Sequence, residues 1–189
     1  MNVPASMLWQ EINDQIAAIL GGRLPSNTAL ANQRPFIYVD TARQCLYQVD
    51  VEPERTQCYA ISTAAAGVGN QLDSYKTPFG IHRIKQKIGG GEPTGAVFKG
   101  REPTGRISIQ TENQDEDEIT TRILWLDGME EGINHGGDSD TFSRYIYIHG
   151  TSDEKRIGQA VSHGCIRMKN KDVIELFGDV LVNDLVFIK

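Results

Sequence analysis

FIYVDTARQCLYQVDVEPERTQCYAIS, residues 36–62, is rich in β-branched and aromatic side chains that recur with a period near two. That is the period of a half-buried strand and not of a helix. FIYVD (36–40), QCLYQVD (44–50) and TQCYAIS (56–62) read as three short strands, with Glu52-Pro53-Glu54 as a turn between the last two. Working outward, GIHRIKQKI (80–88), RISIQ (106–110), TTRILWL (120–126), RYIYIHG (144–150) and DLVFIK (184–189) repeat the pattern. Short strands with frequent turns predict a mainly-β sandwich or barrel.

Helical spacing is confined to two places. Leu8, Ile12, Ile16, Ile19 and Leu20 predict an N-terminal helix over 6–20, with Ser6 as cap and Gly21-Gly22 as stop. A loop over 23–35 follows, so residues 1–35 are expected to pack on a domain spanning 36–189. A second, short helix is predicted over 171–177, with Asn170 as cap and Gly178 as stop. Residues 89–105 hold six glycines and two copies of Glu-Pro-Thr-Gly, and read as one long loop. The acidic run 115–118 reads as a solvated loop, and 127–143 as another polar, glycine-rich one.

The chain has 189 residues, enough for one domain with a substantial core. A net charge of -6 argues against nucleic acid or an anionic membrane as partner, because both need a basic surface. The opening residues MNVPASMLWQEINDQIAAIL lack a basic segment followed by an apolar run, and Glu11 and Asp14 interrupt the stretch. The expectation is therefore neither a secretory signal nor a membrane span, and a cytoplasmic location. A leader preceding these residues would make it periplasmic. No oligomeric state is implied.

Cys45, Cys58 and Cys165 are the cysteines, too few and too odd for a disulfide framework. Cys45 and Cys58 are expected to be buried free thiols. Cys165 has different neighbours. YIYIHGTSDEKRIGQAVSHGCIRM (145–168) begins as a strand ending near His149-Gly150 and closes on Ser162-His163-Gly164-Cys165. A thiol nucleophile needs a base within hydrogen-bond reach, a group that fixes the tautomer of that base, and backbone amides facing the oxyanion. A glycine before the cysteine lets a substrate carbonyl approach the backbone. His163, two residues before Cys165, and His149, distant in sequence, both qualify as base, and sequence physics does not choose between them. A zinc site from His135, His149, His163 and Cys165 is the rival, but its spacing fits no common pattern. Neither metal nor cofactor is expected.

SHGCIRM (162–168), with IHG (148–150) and TPFGIHRI (77–84), resembles the L,D-transpeptidase catalytic domain, the YkuD family. The resemblance extends from about Phe36 to Lys189. It implies a sandwich-like β fold with a capped cysteine cleft. It implies Cys165 as nucleophile, His149 as general base, the Gly150 carbonyl as its orienting group, and His163 as support beside the cysteine. Amides of Gly164 and Cys165 would form the oxyanion hole. Arg167 would hold a substrate carboxylate or brace the loop, and Ser162 and Tyr147 would contact substrate. His82 stands where the family strand often carries an aromatic residue, so it either packs or lines the cleft.

The implied substrate is the murein stem peptide. Attack on the carbonyl of its third residue would release the terminal D-alanine and leave a thioester. Water as acceptor gives L,D-carboxypeptidation, the activity expected of a cytoplasmic, recycling member of the family. An amine gives L,D-transpeptidation. A domain that binds murein peptides without turnover is the non-enzymatic alternative, disfavoured because the thiol and both histidines are present.

Overall fold

A computed structural model describes residues 36–50, 55–108 and 118–189. Ten strands form one sheet: β1 (Phe36–Asp40), β2 (Cys45–Val49), β3 (Gln57–Ser62), β4 (Gly80–Ile88), β5 (Ala96–Lys99), β6 (Glu102–Ile107), β7 (Ile119–Gly128), β8 (Tyr147–Thr151), β9 (Ile166–Met168) and β10 (Leu185–Ile188). The N-terminal helix expected over 6–20, the loop over 23–35 and the acidic run at 115–117 lie outside the described residues.

The sheet order is β4-β10-β1-β2-β3-β9-β8-β7-β5-β6, and β4 also pairs with β7. Eight strands therefore close into a ring whose opposed walls share one core, and β5–β6 projects from β7 as a hairpin. Pairing is antiparallel except at β1–β10 and β8–β9, which are parallel. Alternation along the strands sends one set of side chains into the ring. Leu124, Ile148 and Ile166 stand in register across β7, β8 and β9 and are fully buried there, with Ile37, Ile61, Ile84 and Val186. Each such side chain contributes roughly 1.5–3 kcal/mol on burial.

One helix, α1 (Asn170–Asp179), follows β9. Its apolar positions Val173, Leu176 and Phe177, with Val180 beyond its end, recur at i, i+3, i+4 and i+7 and pack on that core. Asn170 is not its cap, as expected, but its first residue, and Gly178 lies inside the last turn. The Glu154 carboxylate takes the capping role and accepts the Asn170 backbone N–H at 2.7 Å. A negative group there also suits the helix dipole.

Three further expectations change. Residues 89–105 are not one loop: Gly100 and Arg101, at φ 58° and 72°, turn β5 back into β6 with Lys99 opposite Glu102. Both positive φ values belong to the turn type that matches hairpin twist. The strand expected at 144–150 starts at Tyr147, because Tyr145 takes φ 56° and ends a run of turns over 141–145. Cys45 and Cys58 are free, but Cys58 is exposed, because β3 turns Gln57, Cys58 and Ala60 outward.

Candidate active site

The outer face of β7–β8–β9 carries the candidate site. Because β8 and β9 run parallel with Ile148 opposite Ile166 and His149 opposite Arg167, inward and outward sets separate cleanly. Ile148 and Ile166 fill the core. Tyr147, His149 and Arg167 fall on the other face, and Cys165 immediately precedes β9. Cys165 and His149 are thus diagonal neighbours on adjacent strands, roughly 8 Å apart at Cα, a gap the two side chains can span. The half-buried thiol packs against a cluster holding Trp125, Tyr147 and Phe142. Its sulfur receives the Tyr147 backbone N–H at 3.4 Å and faces the Tyr145 carbonyl at 3.5 Å.

The turn before the nucleophile is tied to itself. Ser162 is buried, and its Oγ donates to the Cys165 carbonyl at 2.6 Å while accepting the Gly164 N–H at 3.3 Å. Ser162 thus braces the turn, and the Gly164 amide points at its hydroxyl. Gly164 holds φ +129°, and a Cβ there would lie 3.2 Å from Ile146 Cδ1. A side chain there would be strained by the backbone conformation and would crowd Ile146. Thr77, fully buried, donates its hydroxyl to the Gly164 carbonyl at 3.0 Å and accepts the Ala64 N–H at 3.0 Å. The TPFG segment therefore pins the turn before Cys165.

The two histidines part company. His149 is 1% exposed, and its Nδ1 lies 2.7 Å from the Gly150 carbonyl. A carbonyl only accepts, so Nδ1 carries the hydrogen and Nε2 presents its lone pair. Gly150 leaves no room for a side chain: a Cβ would meet Asn170 Oδ1 at 2.5 Å and the Thr120 carbonyl at 2.7 Å. Asn170 holds that position. Its Oδ1 accepts from Thr120 and Thr121, and its Nδ2 donates to the Thr151 carbonyl at 2.9 Å and to Glu154 at 2.8 Å. His163 is exposed, and its ring lies edge-on to Tyr75 with centroids 6.1 Å apart.

The remaining candidates divide between interior and rim. Arg167 is 1% exposed and stands opposite His149 on one side and Ser62 on the other. That burial fits the bracing role. His82 is fully buried, with Nδ1 near the Gly80 carbonyl and Nε2 near Thr141 Oγ1, each at 3.1 Å. It packs, and burial pushes its pKa down to about 4. His135 stands near Asp127, Asp140 and Glu131 at 3.6–3.9 Å. Tyr147 offers its amide to the sulfur and its phenol to Arg101 Nη1 at 3.2 Å.

Sequence reasoning missed Arg144, Thr77 and Asn170. Arg144 is half-buried and donates to the Gly69 carbonyl at 3.2 Å and the Lys76 carbonyl at 2.6 Å. Burial lowers its pKa, and the negative charge of a Cys165 thiolate opposes that shift. The same attraction favours the thiolate. No sequence motif marks this arginine; only its place just before Tyr145 links it to the cleft.

A family model for the L,D-transpeptidase catalytic domain, YkuD, matches residues 34–188. The putative L,D-transpeptidase YkuD of Bacillus subtilis (strain 168) is 72% identical over 29 residues, which cover 15% of this chain and 18% of that protein. The putative L,D-transpeptidase YqjB of the same strain is 46% identical over 48 residues, 25% of this chain and 27% of that one. Among solved structures, L,D-transpeptidase 3 from Mycobacterium tuberculosis, in complex with a faropenem-derived adduct, superposes with TM-score 0.50 at 14% identity. That match covers 82% of this chain and 60% of that one, so this chain spans less than two thirds of its structural relative and shares its fold. With a family match running from before β1 into β10, the chain belongs to the L,D-transpeptidase catalytic domain family.

Proposed function

We propose that the protein is a cysteine acyltransferase acting on murein stem peptides, with water as its main acceptor, and thus an L,D-carboxypeptidase. The observation that carries this is the parallel register of β8 and β9, which sets Cys165, just before β9, diagonally from His149 on β8, with the Tyr147 amide 3.4 Å from the sulfur. In the proposed cycle His149 Nε2 takes the thiol proton, and Sγ attacks the carbonyl of the third, diamino-acid residue. The Cys165 amide faces the oxyanion. As the C–N bond breaks, the proton passes to the amine of the departing D-alanine and a thioester remains. Water then attacks, giving up its proton through His149, and the thiol is restored as tripeptide leaves.

Water as the acceptor is part of this proposal; the Arg144 charge, which acts on Cys165, supports the thiolate that attack requires with either acceptor. A recycling role in the cytoplasm belongs to the same proposal. Among the described residues no helix is long and apolar enough to cross a membrane.

The test is mass spectrometry of the protein incubated with free murein tetrapeptide, with and without excess D-amino acid, beside Cys165→Ala. Tripeptide as the dominant product in both mixtures supports the carboxypeptidase. Exchanged tetrapeptide carrying the added D-amino acid replaces it with L,D-transpeptidation. Tetrapeptide left intact by a protein whose Cys165 is otherwise reactive favours a murein-peptide-binding domain.

A further inference from the structure

Arg101 occupies the second central position of the β5–β6 turn at φ 72°, a conformation that sterics reserve mainly for Gly, Asn and Asp. A bulky side chain held there raises the question of what its tip does. The guanidinium carbon lies 4.7 Å from the Trp125 ring centroid and 4.9 Å from that of Tyr145. Nη1 donates to the Tyr147 phenol at 3.2 Å. The platform beneath is itself fixed: Trp125 stacks on Phe142 with centroids 4.0 Å apart and donates its indole N–H to the Phe142 carbonyl at 3.1 Å.

Tyr145 and Tyr147, which hold the guanidinium, are also the residues whose backbone touches the Cys165 sulfur. The hairpin therefore holds a cation against the side chains of the two residues whose backbones touch the Cys165 sulfur. Stacking and one hydrogen bond orient the planar fork, and a guanidinium has five N–H donors. The group also borders a cavity of about 330 Å³ between the hairpin and β4, lined with Gln86, Phe98 and Pro103 and with the carboxylates Glu92 and Glu102, against whose charge an anionic ligand would depend on Arg101. Arg167, the cation suggested by the motif, is buried.

We infer that Arg101 is the residue that recognises the free terminal carboxylate of the acyl donor. Resting on the proposed acyl transfer at Cys165, this assigns the hairpin a selective role. A pre-oriented fork pairs bidentately with a carboxylate. In the donor peptide that carboxylate lies one residue beyond the attacked carbonyl. Peptides extended or blocked at the C-terminus would leave the fork unpaired.

The test compares kcat/KM for tetrapeptide ending in a free acid with its carboxamide, in the unaltered protein, Arg101→Gln, Arg101→Lys and Arg106→Gln. Arg106 shares the hairpin but pairs with Glu118 at 2.8 Å, and serves as the charge control. The acid is expected to be preferred by roughly tenfold or more, mainly through KM, as for a hydrogen bond to a charged group. Arg101→Gln is expected to bring the two substrates within about twofold, Arg101→Lys to restore part of the preference, and Arg106→Gln to keep it. An unchanged preference in Arg101→Gln would overturn the inference. Acylation of Cys165 by a carbapenem acid and its methyl ester, read by intact mass, repeats the comparison without peptide turnover. Absence of tripeptide would then sink the carboxypeptidase while leaving this ratio to judge Arg101. Alkylation by neutral iodoacetamide should proceed equally in the unaltered protein and Arg101→Gln. A loss of alkylation matching the loss of acylation would show that Arg101 supports the thiol and not the ligand.

Discussion

The backbone amide of Tyr147 lies 3.4 Å from the sulfur of Cys165, and two residues further along the same strand stands His149. In the proposed mechanism one strand therefore supplies both a donor that favours the thiolate and the base that generates it. The arrangement depends on β8 and β9 being parallel and in register, which places the thiol diagonally from the imidazole. Anything that shifts β8 against β9 is expected to disturb both contacts together.

Gly150→Ala tests that dependence. An added Cβ would lie 2.7 Å from the Thr120 carbonyl, a backbone atom that cannot swing away. We expect a loss of about 1–3 kcal/mol, as for overpacked sites. Displacement of the carbonyl that holds His149 Nδ1 should also lower kcat/KM about tenfold. Urea unfolding and steady-state kinetics check the two effects.

Asn170→Ala removes the hub beneath that glycine. The hydroxyls of Thr120 and Thr121 lose their acceptor and the Thr151 carbonyl loses its donor, all in the interior. Unsatisfied buried groups cost about 1–3 kcal/mol each before relaxation. A stability loss of about 3 kcal/mol is expected from the urea midpoint. A change below about 0.5 kcal/mol would mean the network carries no weight.

His82 gives the fold an acid sensitivity. Its pKa is about 4 in the folded chain against the ordinary 6.5, mainly through burial. Between those values the unfolded chain binds more protons. The stabilising contribution is therefore complete above pH 6.5 and is lost as pH falls toward 4, amounting to about 3 kcal/mol. His82→Gln should flatten this part of the stability profile relative to the unaltered protein, measured by urea unfolding from pH 7.5 to 4.5. Parallel profiles would contradict the assignment.

Much of this fold can be read from period-two patterning: the strands at 36–40, 45–49, 57–62 and 80–88 fall within a residue or so of expectation. The hairpin of β5 and β6 cannot, because Gly95, Gly100, Pro103 and Gly105 signal a loop and a Gly-Arg turn lacks the usual Asn-Gly signature. β9, three residues long, is too short to show any period. Cys165 is legible as a candidate nucleophile because its neighbours form a local motif. The proposed choice of His149 as base is not, since it rests on strand register and on a hydrogen bond to Gly150. Thr77 and Arg144 are hidden for the same reason: they act across 87 and 68 residues of sequence.

The most direct measurement is the rate at which a carbapenem acylates Cys165, followed by intact-protein mass, in His149→Ala and His163→Ala. His149 is buried with its tautomer fixed, whereas His163 is exposed against Tyr75. We expect acylation to be lost in His149→Ala, as for removal of a general base, and to stay within about threefold in His163→Ala. Near-normal acylation in His149→Ala together with its loss in His163→Ala would move the base to the nucleophile turn and contradict the strand-borne dyad.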